Sequence, residues 1–149
     1  MARASVHSVA AHTGSTTRSS SVTVRAAGGP PAFTHFEKRF CRSHEQDPSH
    51  PTALAGCNFQ PLAPLTGPGY FVARDDPAGG EVLIDYRELP ASHPPDWPEI
   101  RSNERGLARL VYGFMLDRLR RVSQQVSIGC ATRRGREIGS WFVLARESG

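Results

Sequence analysis

Residues 103–122, NERGLARLVYGFMLDRLRRV, constrain the fold more than any other stretch. Leu107, Leu110, Val111, Phe114, Met115, Leu119 and Val122 recur at steps of three and four, the period at which one face of an α-helix turns inward. Arg105, Arg109, Asp117, Arg118 and Arg121 then fall on the wet side. Ser102 or Asn103 can cap the first turn by accepting a free backbone N–H. Gly113 costs about 1 kcal/mol against Ala inside a helix, which implies close packing there. The pattern predicts a long amphipathic helix, followed directly by a short alternating strand at 125–130.

Two hairpins flank that segment. Residues 70–74 and 81–89 alternate around Asp75-Asp-Pro-Ala-Gly-Gly80, which has strong turn chemistry. Val82, Ile84 and Tyr86 share one face of the second strand, and Leu83, Asp85 and Arg87 the other. Residues 126–130 and 138–145 flank the basic connection Arg133-Arg-Gly-Arg136. Residues 90–102 form a proline-broken loop with His93, Trp97 and Ile100. It leads into the helix start, where it can shape a pocket or staple itself to the core.

The N-terminal third is proline-rich and irregular, with Phe33, Phe36 and Phe40 at helical spacing, so a short helix is predicted over 32–42. Residues 1–31 hold Arg3, Arg18 and Arg25 and no acid, and Ser, Thr and Ala dominate. That composition fits a disordered tail or an organelle transit peptide; Val24-Arg-Ala26 before Ala27 resembles a plastid cleavage site. The expected organisation is a tail over 1–31 and one domain over 32–149. The fold class expected is α+β: an antiparallel sheet with one long amphipathic helix packed on it.

Composition narrows the function. The basic residues are 17 arginines and one lysine, which reads as a coding bias rather than a nucleic-acid signature. The net charge of +4 permits an anionic ligand without demanding one. Three irregularly spaced cysteines argue against a disulfide framework and for a reducing compartment. No apolar run approaches the length of about 18 residues that a membrane span needs. Cys41, His44, His50 and Cys57 have zinc-type ligand chemistry, but their spacing matches no defined module, so scattered surface histidines and small buried cysteines are the competing reading.

The strand at 82–86, the loop at 103–108 and the helix after it resemble the GCN5-related N-acetyltransferase superfamily, in particular its small single-motif branch, over roughly 80–140. In that superfamily an Arg/Gln-x-x-Gly-x-Gly/Ala loop opens a long helix. Asn103-Glu-Arg-Gly106-Leu-Ala108 has this spacing, with Asn103 in the place of Arg or Gln and with Arg105 and Arg109 beside it. Leu116-Asp117 and Cys130 sit at compatible distances. The resemblance implies an acyl-CoA-dependent transfer of an acetyl group to an amine, with acetyl-CoA as co-substrate. It would be held by Asn103, Arg105, Gly106, Leu107, Ala108 and Arg109 at the helix N-terminus. His93, Glu88 and Cys130 are then the catalytic candidates, with Asp85 as a further base. The implied partner is a small-molecule or protein amine, with no membrane. The implied compartment is the cytoplasm, or chloroplast or mitochondrion if 1–26 is removed.

Two rival readings stay open. A non-catalytic protein-binding or assembly module of chaperone-like type needs only the exposed sheet face or the tip at 133–136. An RNA-contacting protein would use the same arginines, although Phe71, Trp141 and Phe142 do not interleave with them as stacking platforms do.

Overall fold

The computed structural model describes residues 20–27, 35–42 and 52–146, and it is an all-β protein. The strands are β1 (Ser20–Ala27), β2 (His35–Arg42), β3 (Ala53–Phe59), β4 (Phe71–Asp75), β5 (Val82–Asp85), β6 (Met115–Arg121), β7 (Val126–Arg133) and β8 (Arg136–Arg146). Each pairs antiparallel with the next in sequence. β2 to β8 make a curled sheet, and β1 pairs with both of its edges, closing the ring. β1 lies inside the segment whose composition reads as a tail. Two short helices, α1 (Ala63–Thr66) and α2 (Gly106–Val111), pack against each other. Among the described residues no helix is long and apolar enough to cross a membrane.

Alternation along each strand decides what enters the ring. Phe40 on β2, Leu54 on β3, Phe71 and Ala73 on β4, Val82 and Ile84 on β5, Leu119 on β6, and Phe142 and Leu144 on β8 form one buried cluster. Cross-strand partners share a face, so Gly56 lies opposite Phe71 and Gly129 opposite Phe142. These glycines make room: a Cβ on Gly56 would come within 2.3 Å of the Phe71 ring, and one on Gly129 within 2.3 Å of the Phe142 ring. Both expected hairpins form. Asp76 N–H donates to the Glu81 carbonyl at 3.0 Å in the first. Arg134 and Gly135, with φ of 51° and 77°, turn the second. Positive φ at both central residues gives the turn a twist that matches the strands.

The α+β expectation is overturned. Helix occupies only 106–111 of the predicted 103–122, and 115–121 is the strand β6. Phe114, at φ 58°, breaks the helical path. In β6, Asp117 and Leu119 are buried while Arg118 and Arg120 are exposed, so Asp117 faces the interior instead of water. Leu107 and Leu110, assigned to the buried face, are 52% and 69% exposed. The cap is also different: Arg105 precedes α2 and no side chain caps it. The short helix expected over 32–42 is likewise the strand β2, since positions four apart share a face in a strand as well as in a helix.

Filling the space opposite Phe71 should cost stability directly. Gly56→Val is expected to lower unfolding free energy by about 1–3 kcal/mol through overpacking. Urea titration would register this as a lower midpoint at unchanged slope.

Candidate functional site

The interior is not apolar throughout. Lys38 on β2, Asn58 on β3, Tyr86 just past β5 and Asp117 on β6 all point inward and meet in one layer. Lys38 and Asp117 are each 1% exposed. Lys38 Nζ donates to Asn58 Oδ1 at 3.0 Å, to Asp117 Oδ2 at 3.2 Å and to the Tyr86 hydroxyl. Three acceptors around Nζ match the three protons of an ammonium; a neutral amine has two. Asn58 Nδ2 donates to the Gly69 carbonyl at 3.2 Å and to the Tyr86 hydroxyl at 3.1 Å, which fixes the amide's orientation. The Tyr86 hydroxyl gives its own proton to Asp117 Oδ2 at 3.3 Å. The rings of Phe36, Phe71, Tyr86 and Phe142 surround the ammonium at 5.0–5.3 Å. Their electron-rich faces favour a cation there.

Burial works against both charges. Desolvation lowers the Lys38 pKa and raises that of Asp117, and the attraction between the two opposes each shift. Burial also pushes the Tyr86 phenol well above its usual range. Within the layer one atom has no hydrogen-bond partner, the buried Asp117 Oδ1; elsewhere Trp97 Nε1 and Arg133 Nε are buried without one as well.

Asp117 is also one of the residues that line a cavity of about 310 Å³. Lys38, Asn58, Tyr86 and Asp117 line it, whereas Phe40, Leu54, Leu119 and Leu144, further along the same barrel, do not. The polar layer is therefore a floor, with packed core beneath it. Phe36, Val111, Met115, Ala131 and Phe142 supply apolar wall. Tyr112, stacked on Tyr86 at 5.4 Å, closes one side, and Gln60 Nε2 donates to its hydroxyl at 2.6 Å. Leu110 and Ile138 line the cavity yet are 69% and 43% exposed, so they mark its mouth. Arg133 joins them there and holds the end of α2, donating Nη2 to the carbonyls of Leu110 and Val111 at 3.0 Å.

The residues singled out in the sequence lie elsewhere. Asn103 is buried, but its Nδ2 donates to the Tyr70 and Tyr86 carbonyls at 2.6 and 2.8 Å, tying the 90–102 loop to β4 and β5. Arg105, Gly106, Leu107 and Arg109 are exposed, Ala108 is buried in the core cluster, and the Arg109 guanidinium lies 5.4 Å from the Phe114 ring. Glu88 is held by Arg74 at 2.5 and 2.7 Å. Asp85 pairs with Arg87 at 2.7 Å. His93 packs on Tyr70, within the cluster where Trp97 staples the loop against Phe59 and Cys57. Cys130 faces outward on β7 beside Arg118 and Trp141, with its thiol pKa raised by burial. Of the zinc candidates, His44 and His50 lie outside the described residues. Cys41 and Cys57 have thiols pushed up to about 11 and about 12 by burial. No group of three metal-ligating side chains occurs among the described residues.

The floor leaves little trace in the sequence. One signal pointed to it: Lys38 is the only lysine beside 17 arginines. The sequence matches no protein-family model and no curated protein.

Removing one partner of the buried pair should be far worse than removing both. Asp117→Leu strands an ammonium and is expected to cost about 3–5 kcal/mol, while Lys38→Met with Asp117→Leu recovers most of that. Denaturant titrations of the three variants, Lys38→Met included, complete the cycle. The thiols provide a second check. A raised thiol pKa means little thiolate at pH 8, so Cys41 and Cys57 should resist iodoacetamide in the native protein and react promptly in denaturant. Mass spectrometry would count the adducts.

Proposed function

We propose that this chain binds a small, largely apolar molecule inside its barrel. The cavity carries the reading: about 310 Å³ of space above a buried polar floor, with apolar walls and a mouth at Leu110 and Ile138. An eight-stranded ring is the size at which the interior is either just filled by side chains or holds one small ligand. Here the lower half is filled, by Leu54, Val82, Leu119 and Leu144 among others, and the upper half is open. The volume lies at the small end of the range for small-molecule sites, and an apolar lining with a few convergent polar groups is their usual chemistry.

This reading takes the place of the acyl-CoA one. That expectation drew its anion site from the N-terminus of a long helix, and α2 has six residues. The arginines of the RNA-contacting alternative are partly engaged within the fold. Arg133 holds α2, and Arg134 lies 4.4 Å from the Phe114 ring.

Fluorescence titration with the uncharged dye N-phenyl-1-naphthylamine tests the cavity. Saturable, one-to-one enhancement is expected in the parent protein. Ala131→Phe projects a ring into the same space and should abolish it at unchanged melting temperature. Equal enhancement in that variant would place the dye on the outside and remove the support for this reading.

A further inference from the structure

Resting on the ligand-binding reading, we propose that the ligand of this cavity presents an N–H or O–H group to Asp117 Oδ1 at its buried end. The obvious expectation for a lysine at the bottom of an apolar pocket is the capture of an anion. The geometry points the other way. All three Lys38 protons are already committed, to Asn58, Asp117 and Tyr86. Asn58 spends both its amide protons and its oxygen inside the layer. The Tyr86 hydroxyl accepts from Lys38 and Asn58 and donates to Asp117. The one atom of the layer with no partner at all is an acceptor, Oδ1 of a carboxylate that is 1% exposed and lines the cavity.

An ionised carboxylate accepts and cannot donate, so only a donor can complete it. A buried acceptor left unmade carries its full desolvation cost, and a hydrogen bond to a charged group is correspondingly strong. A carboxylate, sulfonate or phosphate at the floor would instead face the charge of Asp117 with no free proton to receive it. The site thus selects alcohols, phenols, amides or ring N–H compounds with apolar bodies, and it excludes acids entering head first.

Three probes of similar shape separate these cases: 2-naphthol, 2-methoxynaphthalene and 2-naphthoate, titrated calorimetrically into the full chain at pH 7. The expected order places 2-naphthol roughly ten- to a hundredfold tighter than 2-methoxynaphthalene, in line with a hydrogen bond to a charged group, and 2-naphthoate weakest. In the Lys38→Met, Asp117→Leu double variant the preference for the phenol should vanish while 2-methoxynaphthalene still binds. Equal affinity of the two neutral probes for the parent protein would overturn this inference and leave the cavity reading standing, as would tightest binding of 2-naphthoate. If neither neutral probe binds, both fall. The comparison within the parent protein needs no variant to fold.

Discussion

The interior of this barrel depends on a single ion pair between Lys38 and Asp117. A carboxylate and an ammonium buried apart would each cost several kcal/mol in lost hydration. Placed 3.2 Å apart and supplied with Asn58 and Tyr86, they satisfy one another almost completely. Everything around them follows from that arrangement. β2 and β6 must enter the ring with Lys38 and Asp117 on the inward face, which fixes the register of both strands, because a slip by one residue would turn both charges outward. Tyr86 must reach the layer, and Asn103 anchors its backbone through the Tyr86 carbonyl. Tyr112, stacked on Tyr86, then positions the end of α2 over the opening.

The pair also divides the barrel into two functional halves. Beneath it, side chains meet across the ring as in any well-packed core, with Gly56 and Gly129 giving space to Phe71 and Phe142. Above it, a cavity remains between the layer and the mouth residues Leu110 and Ile138. Polar atoms could not be left facing an empty apolar void without penalty, so the layer closes its own hydrogen bonds and leaves only Asp117 Oδ1 without a partner. Outside, the charges are ordinary: Arg118 and Arg120 reach Glu81 at 3.2 and 2.7 Å, partly exposed pairs of small energetic weight.

How much of this was readable before the structure depended on whether partners were local. The two hairpins were legible, because alternation at Val82, Ile84 and Tyr86 and turn residues at 75–80 and 134–135 act within a few residues. The segment 103–122 imitates a helix for a specific reason. Its strand alternation needs Asp117 on the buried face, and a carboxylate is placed there only if a cation awaits it. That cation is 79 residues away in sequence, beyond the reach of any local pattern. With Asp117 assigned to water, the three-four spacing of the leucines favoured a helix. Phe36 and Phe40 misled similarly, since a separation of four suits either structure. The cavity was illegible for the same cause: Lys38, Asn58, Tyr86 and Asp117 come from four separate segments and converge only when the ring closes.

The burial of Lys38 has a consequence for the outer surface. It is the chain's sole lysine, and every basic side chain on the exterior of the described fold is an arginine or histidine. The folded exterior therefore offers no side-chain primary amine. Isopeptide conjugation, lysine acetylation and amine-directed cross-linking all need such a group, and here they find their target sealed within the barrel. Any covalent mark on lysine would have to wait for the ring to open, and it would report unfolding rather than regulate the native protein.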